Sequence, residues 1–419
     1  MSTSMKLNLL QINAFRGIKQ LELAFSPRTT VFVGINGVGK TAILDCLAIL
    51  FSSVMNLITG SEERLDKESD IYNGASETQN KITVSIDGDE ITWTNTIPQN
   101  AQNISSQIEA MNSIVEKLQS IFAENSNAGI PLVVYYPVNR AVFDVDISLN
   151  ITERPDYNKI TALDRALSRK NIDFQSFFEW YRNREDIENE IRLDSDPKYR
   201  DRQLEAVRQA IQSLMPGYTD LRVRRLPLRM TLIKTDQELI INQLSDGEKC
   251  LLALTGDLVR RLAIANPALA NPLEGTAIVL IDEIDLHLHP QWQRAVIPKL
   301  EETFPFCQFI VSTHSPQVIS EVAQQKVYFL RMTDKGIVAN LATEAYGKDT
   351  NFILEGLMET SERPADIKEK IMQLFRLIDD NKLKAARDLL RQLEQKMGTN
   401  EPKFAKAEVL LHRKEVLGR

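Results

Sequence analysis

The chain has 419 residues, of which 43% are hydrophobic and 26% are charged, and its formal net charge at pH 7 is −7. These proportions are ordinary for a soluble globular protein, and the length suits two or three domains or one large α/β domain with insertions. The negative net charge argues against a surface that coats nucleic acid non-specifically, but it leaves room for a local basic groove.

Targeting signals and disulfide patterns are not recognisable in the sequence. The N-terminal residues lack the layout of a secretory signal peptide, and no apolar run approaches the roughly 20 residues of a membrane span. Cys46, Cys250 and Cys307 lie in apolar contexts, which is typical of buried thiols in a reducing compartment and not of disulfides or metal ligands. We therefore expect a cytoplasmic protein that does not enter a membrane.

The first predicted elements are three short strands within residues 5–33, which run into a glycine-rich loop and an apolar helix. Residues 81–97 alternate between polar and apolar side chains, and this pattern predicts a hairpin with Gly88 at its turn. Residues 101–129 are predicted to be a polar, partly helical connector, and the apolar run "PLVVYY" after them predicts a further strand.

The second half of the chain begins with a helical and heavily charged segment at 160–215, which we interpret as an inserted helical lobe because it is too short for a long coiled coil. A basic strand pair then leads into a helix that begins at Ser245 and ends before Pro267. Two continuous apolar runs follow, each with acidic or polar residues at its end, as expected of buried parallel strands. The chain after residue 345 has a mostly helical pattern.

Residues 34–41, "GINGVGKT", match the phosphate-binding pattern G-x-x-x-x-G-K-[ST] between a predicted strand and a predicted helix. In this pattern, backbone N–H groups surround phosphate oxygens and the helix dipole favours their negative charge. We expect Lys40 to reach the β- and γ-phosphates and the Thr41 hydroxyl to bind Mg²⁺. A plain glycine-rich turn is the alternative, and the complete motif in this context argues against it. The predicted ATP-binding residues are Gly34, Asn36, Gly37, Val38, Gly39, Lys40 and Thr41.

Asp282 and Glu283 directly follow an apolar strand, at the carboxyl end where ligands bind in open α/β sheets. We predict that Asp282 helps to hold Mg²⁺ and that Glu283 is the general base for the attacking water. His314 ends the next apolar strand, where its imidazole suits contact with the γ-phosphate or the water. Each residue type is usually structural when it stands alone, but the strand-end positions in a chain with a P-loop favour catalytic roles.

His287 and His289 form an H-x-H pair that invites a metal-site interpretation, which we reject because further ligands are lacking nearby in the sequence. Asp285 and His287 are instead predicted to lie in a loop that touches a partner's site, and His289 is predicted to be structural.

Ser245 and Glu248 form the S-x-x-E pattern of a capping box, in which the serine caps a helix start and the glutamate reaches back to the cap. On its own this pattern is structural. Gly247 lies inside the cap, however, and the helix start is the second one in the chain that suits an anion.

The order of P-loop, long insertion, "LSDGE", acidic strand end and strand-end His314 resembles the ATP-binding-cassette superfamily, especially its branch of structural-maintenance-of-chromosomes (SMC) and Rad-type repair ATPases. In that family the signature serine and glycine contact ATP held by a second protomer. The resemblance implies that Ser245, Gly247 and Glu248 complete the ATP site of a partner in a head-to-tail homodimer.

The same resemblance implies that Arg16 lies near the nucleotide, although a turn arginine in solvent is an equally good interpretation. The family also carries a metal-sensing glutamine, which is not recognisable here, and Asn139 or Arg140 is the nearest candidate.

Along nearly its full length the chain resembles the PtuA family, the ATPase subunits of bacterial Septu anti-phage systems, which also occur beside some retrons. The resemblance implies an oligomeric sensor or regulatory subunit that works with an HNH-type nuclease subunit, PtuB, with DNA as a target of the complex. The residues after His314 show no acidic nuclease constellation on strands, so we predict no nuclease site in this chain. The resemblance rests on "NAFRGI", "PLVVYYPVNR", "FFEWYRNREDIENE", "LSDGEK", "VLIDEIDLHLHP", "STHSP" and "YGKDTNFILEGLMETSERPADIKEKI".

The predicted fold is therefore an α/β P-loop ATPase of the ABC/SMC type, with a mixed sheet, an antiparallel β lobe, an inserted helical lobe and a helical C-terminal tail. We assign the first part of the ATPase head to 1–140, the helical insertion to 141–220, the second part of the head to 221–344 and a docking region for oligomer or partner to 345–419.

Two other functions are open. A repair or recombination ATPase would bind DNA itself, through arginines of the basic strand pair such as Arg222, Arg224, Arg225 and Arg229. The second of these alternatives is a transporter motor, and the "LSDGEK" form and the helical insertion argue against it.

Overall fold

The computed structural model of the protein describes residues 4–60, 67–99, 115–116, 129–138, 157–169, 172–323, 326–334, 336–342, 345–358 and 363–417. The chain forms two compact units, Met1–Ile353 and Leu354–Arg419.

Thirteen strands occur among the described residues. In chain order they are β1 (Met5–Phe15), β2 (Ile18–Ala24), β3 (Thr29–Val33), β4 (Glu77–Ile86), β5 (Asp89–Pro98), β6 (Leu132–Tyr136), β7 (Tyr218–Arg225), β8 (Leu228–Lys234), β9 (Gln237–Ile240), β10 (Ala277–Ile281), β11 (Gln308–Thr313), β12 (Val327–Thr333) and β13 (Gly336–Leu341).

Nine helices of five or more α-helical residues accompany them in the described ranges, and shorter helical turns lie at Lys159–Leu163 and Thr350–Phe352, among others. In chain order the helices are α1 (Lys40–Thr59), α2 (Phe174–Asp194), α3 (Arg202–Leu214), α4 (Asp246–Ala265), α5 (Pro290–Thr303), α6 (Pro316–Ser320), α7 (Ala365–Asp379), α8 (Leu383–Met397) and α9 (Pro402–Leu417).

A six-stranded mixed sheet forms the centre of the first unit, in the order β13-β12-β3-β11-β10-β6. Its neighbouring strands are parallel except for β13, and every residue of β3, β6, β10 and β11 is buried, as predicted for strands covered on both faces. Val33 lies opposite Thr313, and Ile281 lies opposite Val311. The segments that follow β3, β10 and β11 therefore leave the sheet at one edge.

The β12–β13 hairpin was not predicted, because β13 buries its residues without the regular alternation of a half-buried strand. The hairpin extends the sheet beyond β3. The predicted hairpin at 81–97 is confirmed as β4 and β5, with Asp87 (φ 51°) and Gly88 (φ 97°) in the left-handed conformations that tight hairpins need. It belongs to the antiparallel sheet β2-β1-β4-β5.

The predicted basic strand pair is a three-stranded sheet, β7-β8-β9. The basic run at residues 220–234 is interrupted by a turn at Pro227. Because proline cannot donate a ladder hydrogen bond, β7 ends before Pro227 and β8 begins after it.

Helix α1 is more apolar than the sequence analysis predicts for any segment of the chain. It is 20 residues long and contains a window with a mean hydropathy of 1.9, so by length and composition it could span a membrane, contrary to our expectation that no such run exists. In the fold, 72% of that window is buried inside the protein. The apolarity of α1 therefore reflects a helix at the centre of the core.

The insertion helices α2 and α3 pack against α4. A Cβ atom added to Gly256 of α4 would lie 2.7 Å from the ring of Phe177, so the glycine permits the close approach of α2. The helix that begins at Ser245 is therefore packed against both helices of the predicted insertion.

A buried ion-pair network fixes α4 to the central sheet. Asp257 accepts hydrogen bonds from Arg260 (2.7 Å), Arg261 (2.7 Å) and the Tyr136 hydroxyl at the end of β6 (3.0 Å). Burial by itself raises the pKa of Asp257, but the two guanidinium groups outweigh it and lower the pKa to about 2. Arg261 also donates to the carbonyl oxygen of Ala162 (2.7 Å), which adds the segment before α2 to the network.

The second unit is a three-helix bundle with its own core. The helical pattern predicted after residue 345 is confirmed in α7, where Ile367, Ile371, Leu374 and Ile378 are buried and Phe375 packs against them. Lys414 of α9 donates to the carbonyl oxygen of Ile378 at the end of α7 (2.6 Å), where a cation complements the helix dipole. The remaining buried members of this core are Ala386, Leu390, Leu393, Phe404, Ala407 and Leu411.

We expect Asp257→Asn to lower the free energy of unfolding by about 3–5 kcal/mol, because it leaves two buried guanidinium groups without a counter-charge. Chemical denaturation measures this loss. The difference from the wild type should narrow as the pH falls from 3.8 towards about 2, because the wild-type carboxylate is then protonated and its contribution is lost. Asp194→Asn, at an exposed position of α2, is the control and should change stability by about 0.5 kcal/mol or less.

Candidate functional site

The glycine-rich loop lies between β3 and α1, as predicted. Gly37 (φ 79°) and Gly39 (φ 101°) have left-handed backbones that favour glycine. A Cβ atom added to Gly34 would lie 2.7 Å from the carbonyl oxygen of Leu330 in β12, and one added to Gly39 would lie 3.1 Å from Ile337 in β13. The loop is thus supported by the β12–β13 hairpin, while a Cβ atom at Gly37 would meet no atom within 4 Å.

Lys40 is the first residue of α1 and is only 5% exposed. Its ammonium group donates hydrogen bonds to the carbonyl oxygens of Gly34 (2.8 Å) and Ile35 (3.2 Å). Burial lowers the pKa of Lys40, and the negative charges of the nearby carboxylates only partly offset this effect. The loop therefore holds a buried cation at its base, facing an acidic cluster.

The other predicted loop residues differ in their environment. The Val38 side chain is 2% exposed and packs in the core, and its N–H group donates to the carbonyl oxygen of Ile35 (3.3 Å). Asn36 is exposed. Contacts from Val38 to a ligand are therefore limited to its backbone.

Asp282 connects the end of β10 to β11 and to the start of α1. Its carboxylate is fully buried and accepts hydrogen bonds from the Thr41 hydroxyl (2.7 Å) and from the Ser312 hydroxyl in β11. Hydroxyl and carboxylate oxygens are the ligands that Mg²⁺ prefers in proteins. The pair of Thr41 and Asp282 therefore fits the magnesium site predicted from the sequence.

Glu283 and His314 lie side by side at the same edge. The N–H group of Glu283 donates to Ser312 Oγ (2.7 Å), and its φ of 46° is a strained conformation of the kind that concentrates at functional sites. The distance between Glu283 Oε1 and His314 Nε2 is 3.8 Å, and both side chains are partly exposed. Burial and the Lys40 charge lower the pKa of His314 below its usual value of 6.5, so the imidazole is neutral at pH 7.

The loop after Glu283 is tied to the end of β11. Asp285 Oδ1 accepts hydrogen bonds from the Thr313 hydroxyl (2.5 Å) and the His314 N–H group (3.3 Å). His289 has the structural role predicted for it, because its Nδ1 atom caps α5 by accepting from the N–H group of Gln291 (3.3 Å). A shift of this loop would therefore also disturb His314.

The predicted capping box is present at the start of α4. The Ser245 N–H group donates to Glu248 Oε2 (2.7 Å), and the Glu248 N–H group donates to Ser245 Oγ (3.5 Å). A Cβ atom added to Gly247 would lie 2.2 Å from the carbonyl oxygen of His287, so only glycine fits between the helix start and the loop after Glu283. Ser245 itself is exposed.

Arg16 lies in the turn between β1 and β2. Its guanidinium group donates to Asp45 of α1 (2.6 Å) and to Asp70 (2.7 Å). These ion pairs fix the turn to the helix that follows the P-loop, and the proposed nucleotide contact of Arg16 stays a prediction. The candidates Asn139 and Arg140 lie outside the described residues.

The fold thus brings the two predicted catalytic residues, Glu283 and His314, close to Lys40, Thr41 and Asp282 of the predicted phosphate and magnesium site. Ser245, Gly247 and Glu248 form a separate group, whose contacts are with the loop after Glu283 and with β7 and β8. Sequence reasoning missed Ser312, which bridges Asp282 and the Glu283 backbone. The sequence signal was a hydroxyl residue at the end of a continuous apolar run. Such a run predicts a buried strand, in which a hydroxyl group needs a hydrogen-bond partner.

A family model described as "AAA domain, putative AbiEii toxin, Type IV TA system" matches residues 29–320, which is more than half of the chain. That region starts at β3 and ends with α6, so it contains all the predicted site residues except Arg16.

Similar proteins have curated names. "Retron Vc95 probable ATPase" of Vibrio cholerae serotype O1 biovar El Tor is 30% identical, and the match covers 90% of this chain and 83% of that protein. "Retron Ec83 probable ATPase" of Escherichia coli is also 30% identical, with coverage of 88% and 79%. "Septu protein PtuA" of Bacillus thuringiensis is 24% identical, with coverage of 81% and 79%. The predicted resemblance to the Septu and retron ATPases is confirmed.

Among solved structures, the "SMC head domain from Thermotoga maritima" is 17% identical and covers 81% of this chain and 100% of that chain, with a TM-score of 0.43. The predicted fold class is confirmed by the structure itself and by the AAA-domain match. The structure has a P-loop at the carboxyl end of a central strand in a mixed sheet, antiparallel sheets and C-terminal helices. The chain therefore belongs to this AAA-domain family and is an ATPase.

Proposed function

We propose that this ATPase hydrolyses ATP with Mg²⁺ in a site that a second copy of the chain completes with the start of its α4. The observation that carries this proposal is the placement of Ser245. It lies on an exposed, capped helix start suited to an anion, and that start packs against the loop that follows Glu283.

Within one copy, each residue has a distinct role. The P-loop backbone and Lys40 would bind the phosphates, and Thr41 and Asp282 would hold Mg²⁺, which would neutralise phosphate charge. The Glu283 carboxylate accepts the proton of the attacking water, and neutral His314 orients that water or contacts the γ-phosphate. Ser312 fixes both acidic residues, because it contacts the Asp282 carboxylate and the Glu283 backbone.

In its biological setting, the protein acts as a cytoplasmic sensor or regulatory subunit in anti-phage defence, with an HNH nuclease as its partner and DNA as the target of the complex. The similarity to retron and Septu proteins over most of the chain supports this assignment. The three-helix unit of residues 354–419 is the proposed docking region, because it has a core of its own outside the matched AAA region.

Direct DNA binding through the basic strands is less well supported. Arg222 pairs with Asp220 (2.7 Å), Arg224 with Glu238 (2.8 Å) and Arg225 with Glu185 (2.9 Å). These intramolecular ion pairs already neutralise three of the four arginines that a DNA-binding strip would require.

Glu283→Gln should still bind ATP, lower kcat by about 10²- to 10⁴-fold and accumulate the ATP-bound dimer, because it removes the proton acceptor. Steady-state hydrolysis and light scattering with ATP measure the two effects. Glu321→Gln is the matched control, since Glu321 is similarly exposed (35%) and its partner Arg294 lies outside the site. Hydrolysis at the wild-type rate in the Glu283 variant would remove it from the role of base.

The composite site can be tested with two inactive variants. Lys40→Ala should weaken nucleotide binding, while Ser245→Arg should leave it intact and damage only the neighbour's site. Mixed pairs, co-expressed and isolated with two affinity tags, contain one intact site and should regain about half of the wild-type turnover per pair. If the mixed pairs form but stay inactive, the shared site is wrong.

The partner assignment can be tested by co-expression with the adjacent open reading frame. We expect an HNH protein to co-purify in a defined complex, whose DNA cleavage changes with ATP concentration. Native mass measurement and a cleavage assay provide the readouts, and Lys40→Ala is the control for the ATP response. A neighbouring product that fails to bind, or cleavage that ignores ATP, would contradict the regulatory role.

A further inference from the structure

Glu248 does more than cap its own helix. One carboxylate oxygen, Oε2, accepts from the Ser245 N–H group in the capping box. The other, Oε1, accepts a hydrogen bond from the Lys234 ammonium group (2.8 Å) and another from the Tyr218 hydroxyl. A capping box requires only the first of these interactions.

The two additional donors come from neighbouring strands. Tyr218 begins β7 and Lys234 ends β8, and the antiparallel register places them directly opposite each other. Side chains of such a pair lie on the same face of the sheet, so both reach the same carboxylate. The Lys234 ammonium group also lies 5.0 Å from the centre of the Tyr218 ring.

Tyr218 extends this contact to a third element. It is 1% exposed, and its ring packs edge-to-face against Trp292 of α5, with 6.3 Å between ring centres. Helix α5 directly follows the loop that contains Asp285 and His287. The start of α4 is therefore held on one side by the β7–β8 strands and on the other by the carbonyl oxygen of His287 against Gly247.

The partial burial of Glu248 raises its pKa, but the hydrogen bonds from Lys234, Tyr218 and Ser245 outweigh this effect and hold the pKa at about 2. The carboxylate is therefore charged at neutral pH and can keep both sets of contacts. These contacts fix the helix start in one orientation relative to the β7–β8 strands.

We propose that Lys234 and Tyr218 are positioning residues, which hold Glu248 and, through it, orient Ser245 for the ATP site of the neighbouring copy. This inference rests on the proposed composite site. It assigns a role in ATP turnover to the three-stranded sheet β7-β8-β9, to which the sequence motifs assign no such role.

The contribution of Lys234 to turnover can be separated from its contribution to stability. Its side chain is 45% exposed, and an exposed ion pair contributes little to the stability of a fold. Loss of the ammonium group should therefore leave the fold intact while it releases Glu248. A group with a merely structural role would alter stability and turnover together.

Lys234→Met should lower kcat about 10- to 100-fold with little change in the KM for ATP, because misplacement of a group that acts in the reaction reduces the rate rather than ground-state binding. Tyr218→Phe keeps the ring and should give a smaller loss in the same direction. Lys234→Arg keeps the charge and should restore most of the rate. Lys299→Met is the matched control, because Lys299 forms a similar exposed pair with Glu302 (2.7 Å) away from the site.

Mixed pairs locate the defect. A pair of Lys234→Met with Lys40→Ala contains one intact site and should regain turnover, whereas a pair of Lys234→Met with Ser245→Arg should not. If the Lys40→Ala and Ser245→Arg pair recovers but the Lys234→Met and Lys40→Ala pair does not, the positioning role is overturned while the composite site stands. Wild-type kcat in Lys234→Met would also overturn it. If neither the pair of Lys40→Ala with Ser245→Arg nor the pair of Lys234→Met with Lys40→Ala recovers, the composite site itself fails.

Discussion

The hydrogen bonds that Asp282 accepts from Thr41 and Ser312 connect the end of β10 to the start of α1 and to the end of β11, which are far apart in the sequence. They are possible because β3, β11 and β10 are parallel neighbours whose carboxyl ends reach the same edge of the sheet. The carboxylate is fully buried, and such a group is costly unless it is hydrogen-bonded. The buried strands and the polar site therefore depend on each other.

The motifs of this site could be predicted because each one is local. A glycine-rich loop between a strand and a helix, or two acids after an apolar run, can be read from a few consecutive residues. The parallel strands were predictable for the same reason, since continuous burial leaves a continuous apolar run. The capping box at Ser245 and the hairpin at Gly88 also depend on only four or five residues.

Features that depend on tertiary pairing could not be read in this way. Ser312 is one polar residue in an apolar strand, and its importance arises from the register that places it beside Asp282. Tyr218 and Lys234 are far apart in sequence and meet only because β7 and β8 pair. The same limit explains α1, because a helix enclosed by the core has the composition of a membrane span.

The β12–β13 hairpin lies outside the region that the AAA-domain model matches, yet it lies directly against the glycine-rich loop inside that region. At Gly34 there is no room even for one carbon atom before the carbonyl oxygen of Leu330 is reached. A displacement of the loop towards β12 must therefore push the hairpin with it. The hairpin is the last pair of strands in the described part of the first unit, so the position of the phosphate-binding loop and the position of this final strand pair depend on each other.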